Sequence, residues 1–372
     1  MKEVKKFVYI ALVAGGMLGS FISCDYLDVS KELSENLTLE QVFNNPGYTK
    51  RWQANIYNCI PNYSEMGKEA TTGFTGIWNL MSGQVVANTT AVGTQMLTGF
   101  NSSNASFHRW ATLYKYIRQG FIFLDNAKDY MGSEQDVSYI SKKDMDRLKA
   151  ETKFLIAYSY FSLFELYGPV PLITEIEDPE NKTIDYPRAS VDEIVNYIDR
   201  LLQEVLDSNA LPETLFTESA SGSLDYEHNN DRYNLKEIVR PTKVTVLALR
   251  AKLWVYAASP LFNGGYGEAL QLTNKDGKHL FPDEDKTKWN TAKTHLETLF
   301  TFAEAKGHKL YYSKPGSNGL PDPNLSVYEL FQYYNDEILW ANGNNSYRIV
   351  GNDMERRTCP RGANGFCNIG LY

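Results

Sequence analysis

The sequence predicts a mainly α-helical protein of paired helices with long loop insertions. Three observations carry that prediction. Long segments repeat apolar residues at intervals of three and four. Small residues recur between the large ones on those faces. Stretches rich in Gly, Thr, Ser and Asn separate the segments.

The elements follow in order. Leu39 to Ile60 carries helical spacing that Pro46-Gly47 interrupts. Residues 67–103 read as a long loop, and a loop of that length in a folded protein is commonly functional or disordered. Residues 104–131 form a helix, with Phe107, Trp110, Tyr114, Ile117, Phe121 and Leu124 on one face. A second helix spans about 141–167. Its first turns are charged, whereas Phe154 to Tyr167 holds Glu165 as its one charge and is expected to be buried nearly all round. Gly168-Pro169 ends it. Ser190 and Glu193 have capping-box spacing, ahead of an apolar face of Ile194, Tyr197, Ile198, Leu201, Leu202 and Val205.

Residues 212–235 are polar and irregular. Pro241 opens the next helix, which carries Val244, Leu247, Ala251, Trp254 and Val255 and stops near Pro260. Thr287 to Lys306 is another helix. Beyond it, Leu310-Tyr311-Tyr312 and Glu337-Ile338-Leu339-Trp340 read as short strands or extended pieces. Ala150, Ala157, Ala251, Ala292 and Ala303 let neighbouring helices approach closely, as in tetratricopeptide-type stacking. The spacing does not keep a strict repeat, so the expectation is a helical-hairpin scaffold with insertions.

The amino terminus is a different kind of segment. Lys2, Lys5 and Lys6 precede an uncharged run from Phe7 to Leu18, and Phe21-Ile22-Ser23-Cys24 follows. A run this short suits an export signal rather than a spanning helix. Ser23-Cys24 fits a bacterial lipobox, so 1–23 is expected to be a lipoprotein signal peptide and Cys24 the lipid-bearing residue. The alternative is a plain secretory peptide with a chance cysteine. Asp25, Asp28, Glu32 and Glu35 make 24–38 an acidic linker, and 39–372 is expected to be one α-helical domain. No later run is long and apolar enough to span a bilayer as a helix, so the expectation is a protein anchored rather than embedded.

The formal charge is −8, which argues against a nucleic-acid partner and against adhesion to anionic lipid. Membrane contact should therefore come from the anchor. Aromatic residues make up 13% of the chain, with 25 Tyr. Most belong in a core, but a surplus of Tyr and Trp also suits a sugar- or peptide-binding surface. Cys359 and Cys367 could close a short loop by a disulfide, leaving Cys59 free and buried; the cysteine count leaves that pairing open.

Three segments together carry a resemblance. They are Cys24-Asp25-Tyr26-Leu27-Asp28, then Ala150 to Phe161 (AETKFLIAYSYF) running on to Tyr167-Gly168-Pro169-Val170-Pro171-Leu172-Ile173, and Leu247 to Asn263 (LALRAKLWVYAASPLFN). The chain resembles the SusD/RagB family of Bacteroidetes outer-membrane nutrient-binding lipoproteins. The resemblance implies a mainly α, tetratricopeptide-like SusD fold and a lipid-anchored, surface-exposed location. It implies a SusC-like TonB-dependent transporter as partner. It implies capture of a glycan, or in some members of a peptide. Family members usually run further, so a chain ending at Tyr372 is expected to be incomplete at its carboxyl terminus.

No HExxH, GxSxG or phosphate-loop motif occurs, and no CxxC pair points to zinc; neither a cofactor nor a catalytic residue is expected. A surface glycoside hydrolase would need two convergent carboxylates. A pure assembly scaffold would bind no ligand. For binding, sugar rings stack on flat aromatic faces while amides and guanidinium groups meet the hydroxyls. Two places qualify. Trp78-Asn79 lies in the Gly/Thr-rich loop, with a core anchor as the alternative role of Trp78. Tyr347 and the Arg361-Gly362-Ala363-Asn364-Gly365-Phe366 segment resemble an Asn-Gly-aromatic loop of some family members, with Arg361, Asn364 and Phe366 as contacts. Trp110, Trp254 and Trp289 fall on helical apolar faces and are expected in the core.

Overall fold

The computed structural model describes residues 37–61, 109–176, 185–217, 232–330 and 332–342, with the backbone of 85–87 and 369–371. Eight α-helices lie among the described residues: α1 (Leu39–Phe43), α2 (Pro46–Ile56), α3 (Trp110–Asn126), α4 (Lys142–Tyr167), α5 (Val191–Asp207), α6 (Lys243–Ala258), α7 (Lys288–Ala305) and α8 (Pro323–Leu330). From α3 to α7 each helix packs chiefly on the next, the pattern of stacked hairpins that the small residues predict.

Local chemistry sets the helix ends. Asn45 caps α2 by accepting from the Tyr48 N–H at 3.0 Å, and Pro46 occupies the first helical position, where its missing N–H costs nothing. The Pro-Gly interruption is thus the start of a second helix. Ser141 accepts from the Asp144 N–H at 3.1 Å to open α4, and Gly168 closes it at φ 66°, a conformation that glycine adopts without Cβ strain. At α5 the capping box is complete: Glu193 donates its N–H to Ser190 Oγ at 3.4 Å, and the Ser190 N–H reaches Glu193 Oε2 at 2.8 Å. Pro241 stands one residue before Thr242, which is the true cap of α6, bonded to Thr245.

α4 is the central element. Phe154 through Phe164 are all buried, as the near-absence of charge in that half predicts. One side meets α3, where Gly120 faces Ile156. A Cβ at position 120 would stand 2.7 Å from Ile156 Cγ1, so the two helices come this close because residue 120 has no side chain. The main core joins α2, α3, α4, α5 and α6, and a smaller cluster sets Val244, Leu247 and Ala251 of α6 against Leu299 and Ala303 of α7. All five alanines named from the sequence are buried. Cys59 is buried and unbridged, as expected, and burial pushes its thiol up to about 12.

Charged side chains lock the stack where apolar contact ends. Glu151 of α4, fully buried, accepts from Arg147 Nε at 3.0 Å, Arg240 Nε at 2.8 Å and Tyr57 Oη at 2.9 Å. Asp199 of α5 accepts from Arg250 Nε at 2.6 Å and from Trp254 Nε1 at 2.8 Å, tying α5 to α6. Arg232 forks onto buried Asp336 at 2.9 and 2.8 Å, fixing the 336–342 segment.

Several expectations are corrected. The helix of 104–131 is Trp110–Asn126 among the described residues; at Ala127 the backbone turns extended, and Met131 instead bridges Ile140. Of the two readings for Leu310-Tyr311-Tyr312 and Glu337 to Trp340, strands or extended pieces, no strand forms; 310–312 is chain outside any ladder and 336–337 turns. Their polar backbone groups meet side chains and turns: the Tyr311 N–H donates to Glu337 Oε2 at 2.8 Å, the Glu337 N–H to Asn335 Oδ1 at 3.1 Å, and the Ile338 N–H to the Asn335 carbonyl at 3.2 Å. Between them α8 forms, begun by Asp322, whose carboxylate accepts from the Asn324 and Leu325 N–H groups. Trp289 is not a core residue. It is 49% exposed, because the face of α7 that meets α6 is the one bearing Ala292, Leu299 and Ala303. No described helix is long and apolar enough to cross a membrane.

Candidate functional site

Cys24, Trp78, Asn79, Tyr347, Arg361, Asn364 and Phe366, together with Cys359 and Cys367, lie outside the described residues. One described contact nevertheless links the two segments that hold the binding candidates. β1 (Val85–Ala87), inside the predicted loop of 67–103, pairs antiparallel with β2 (Ile369–Leu371), with Val85 opposite Leu371 and Ala87 opposite Ile369. Trp78-Asn79 leads into β1 and Asn364-Gly365-Phe366 leads into β2. A backbone ladder therefore joins two stretches far apart in sequence.

The described residues form a second kind of site, a cleft of about 590 Å3 beside the first turns of α5. Glu193, Asn196, Tyr197 and Arg200 recur at helical spacing on one face of α5 and make one wall. Tyr186-Pro187-Arg188-Ala189, the chain entering that helix, faces them, and Leu172 and Lys278 complete the lining. Three features hold the cleft in shape. The Val191 N–H donates to the Leu280 carbonyl at 2.9 Å, and Asn274 Nδ2 donates to the Arg188 carbonyl at 2.8 Å. Tyr197 packs edge-on against Tyr160 of α4 at 5.4 Å.

Its electrostatics are lopsided. Lys278 Nζ meets Glu193 Oε1 at 2.5 Å, and the other Glu193 oxygen accepts from the Ser190 N–H and hydroxyl at 2.8 and 3.0 Å. The Lys278 hydrogen bond, with those from Ser190, holds the Glu193 carboxyl below its ordinary value. Arg200 lies over the Tyr197 ring at 5.0 Å and donates to Glu204 at 2.8 Å, so its guanidinium is oriented. Burial pushes the Tyr197 hydroxyl up to about 12, with Arg200 opposing it. A neighbouring cleft of about 470 Å3 shares the Tyr186-Pro187-Arg188 ridge and is lined on its far side by 272–276, where Lys275 pairs with Asp185 at 2.8 Å.

A third cleft, of about 440 Å3, opens between α4 and α6. Tyr158, Phe161 and Trp340 give it aromatic walls, and Asn342 and the Glu165–Lys252 pair supply polarity. Lys252 Nζ sits 5.0 Å from the Phe161 ring, and Tyr256 donates to Glu165 at 2.7 Å. Trp340 donates to the Val239 carbonyl at 2.8 Å and stands edge-on to Phe154 and Tyr158, so it serves as an anchor for the segment that closes this cleft.

Stacked helical hairpins with clefts along them define a tetratricopeptide-like α-helical fold. Residues 25–223 match the model of a SusD-like family described as starch-binding and associating with the outer membrane. The chain belongs to this SusD-like family. Two solved structures agree in fold. A protein named BT4246 is 22% identical, with a TM-score of 0.50 over 84% of this chain and 47% of its own. A SusD homolog from Bacteroides thetaiotaomicron is 20% identical, with a TM-score of 0.50 over 79% of this chain and 48% of its own. The chain thus spans about half the length of the solved structures it matches. No curated protein matches it.

The α5 cleft was not foreseen from the sequence. Tyr186, Arg188, Tyr197 and Arg200 form a local aromatic and basic cluster that offered a signal. Lys278 offered none, because only the packing of the 272–280 loop on the start of α5 brings it there.

Proposed function

We propose that this chain is a surface glycan-binding lipoprotein. Lipid on Cys24 anchors it to the outer membrane, and it captures oligo- or polysaccharide for a SusC-like TonB-dependent transporter. The observation that carries this reading is membership of a family described as starch-binding and outer-membrane-associated, over 25–223. The β1–β2 ladder is in keeping with it, since the paired residues 85–87 and 369–371 follow Trp78-Asn79 and Asn364-Gly365-Phe366 in sequence. In this reading Trp78 and Phe366 stack on sugar faces, and Asn79, Tyr347, Arg361 and Asn364 bond hydroxyls.

Affinity electrophoresis through gels containing a panel of neutral and acidic polysaccharides tests it. Retardation by at least one glycan is expected, with Trp78→Ala weakening it roughly tenfold. Chromatography of the incubated glycan should find no shortened products, and the SusC-like transporter should co-purify from solubilised outer membranes. Retention by peptides and by no glycan would replace this reading with a peptide-binding one. Release of shorter sugars would replace it with a hydrolase. Transporter association without any ligand would leave a scaffold.

A further inference from the structure

We propose that the α5 cleft is a subsite for a sugar carboxylate, so that the captured glycan is acidic. This rests on the glycan-binding reading and narrows it to uronic-acid-containing chains.

The first argument is a local reversal of charge. The chain carries a net −8, yet among the described residues the cleft is lined by Arg188, Arg200 and Lys278 against one carboxylate, Glu193. A net-acidic protein repels a polyanion at long range. It can hold one only where cations are gathered, as Arg188, Arg200 and Lys278 are along this open groove.

The second argument concerns which charges are already engaged. Glu193 is occupied by Lys278 and by Ser190, so both its oxygens face hydrogen-bond donors of the protein. Arg200 is shared with Glu204, but Glu204 also takes Lys153 Nζ at 2.8 Å, so one carboxylate there answers two cations. The Arg188 side chain is exposed and has no hydrogen-bond or ion-pair partner among the described residues. Among the described residues, the cleft is therefore left with uncompensated positive charge on Arg188 and a share on Arg200.

The third argument is shape. A uronate offers a planar carboxylate beside an apolar ring face and hydroxyls. Guanidinium matches a carboxylate through two parallel N–H···O bonds, a geometry that lysine cannot reproduce. The Arg200 plane is held over the Tyr197 ring, and Pro187 stiffens the wall that carries Arg188. Tyr186 adds an aromatic edge, and the Asn196 amide can serve both as donor and as acceptor to hydroxyls. The cleft, at about 590 Å3, falls within the usual range of a small-ligand site.

The test is calorimetric titration of the full chain with oligogalacturonate and with hyaluronan fragments, each beside its methyl ester, at low and at physiological salt. The free acids are expected to bind and the esters to bind at least about tenfold more weakly. Added salt should weaken the acids and leave the esters unaffected. Arg188→Gln and Arg200→Gln should each weaken acid binding about tenfold, with unchanged helical circular dichroism. Arg188→Lys should recover part of the loss, since it restores charge without the fork. Equal affinity for acid and ester, or full affinity in the Arg188→Gln/Arg200→Gln double variant, would overturn the inference. So would retention of neutral glycans with no response to either acid, and in that case the glycan-binding reading stands. Failure of every glycan, neutral or acidic, would bring down both.

Discussion

Glu151 holds the junction of three elements, and removing its carboxylate should be among the most damaging single changes in the chain. Its side chain is 1% exposed and receives hydrogen bonds from Arg147, Arg240 and Tyr57, at distances from 2.7 to 3.0 Å. Breaking a buried ion pair by deleting one partner costs about 3–5 kcal/mol, because the other charge is left buried and unpaired. Two features pull the value toward the low end. Arg147 and Arg240 are 18% and 27% exposed, so water reaches them, and both keep Glu237 as a second partner. Against that, Tyr57 loses the acceptor for its buried hydroxyl, which costs about 1–3 kcal/mol. Glu151→Ala is therefore expected to lose about 3–4 kcal/mol of stability. Glu151→Gln keeps an acceptor oxygen in place and should lose about half as much. Urea titration followed by helical circular dichroism reads the difference as a shift in midpoint at unchanged slope. A loss below about 1 kcal/mol in Glu151→Ala would mean that the cluster contributes little to the junction and that the apolar core alone holds the stack.

Other expected outcomes follow from single features. Gly120→Ala places a methyl 2.7 Å from Ile156 Cγ1, so it should cost about 1–3 kcal/mol by overpacking, and Ile156→Val in the same chain should restore part of it; urea titration measures both. His308 is buried, with Nδ1 on the Asp336 carbonyl and Nε2 without a partner among the described residues, and burial holds its imidazole below the usual value. The unfolded chain then takes up protons first as pH falls through about 6.5, so stability is complete above that pH and declines below it. His308→Phe should flatten part of the decline measured between neutral pH and about pH 5; the remainder belongs in part to His295, which is depressed in the same direction. Cys24→Ala should abolish incorporation of labelled palmitate in the native host and release the chain from the membrane fraction. Continued labelling would refute the lipid assignment.

Much of the helical stack was legible in the chain because helix formation leaves a local record. The apolar interval of three and four located α3 to α7. Ser190 with Glu193, and Gly168 before Pro169, marked ends that the structure reproduces through specific hydrogen bonds. The buried half of α4 was legible from the absence of charge between Phe154 and Phe164. Where the reading failed, the deciding partner was distant. Trp289 has helical apolar spacing, but a spacing says only that residues share a face, and α7 turns a different face to α6. Tyr311 and Trp340 look like strand residues by propensity, yet the Glu337 carboxylate takes the Tyr311 backbone N–H, and Trp340 is held by its indole N–H on the Val239 carbonyl. β1 and β2 are three residues each, too short to leave a periodic signal, and each exists only because the other pairs with it.

The opening feature of the chain, the fold class, was therefore fixed locally, since helical spacing, caps and small residues act within a few turns. The sequence also carries Ser23-Cys24 and the aromatic–amide segments around Trp78 and Phe366, on which the proposed anchor and glycan contacts rest. The tertiary structure alone decided which helix faces meet and which charges are buried. It alone decided that Lys278 lies across from Arg188 and Arg200. A cleft is made of residues that need be neighbours only in space, and its charge depends on which side chains are already paired. Chain order records neither.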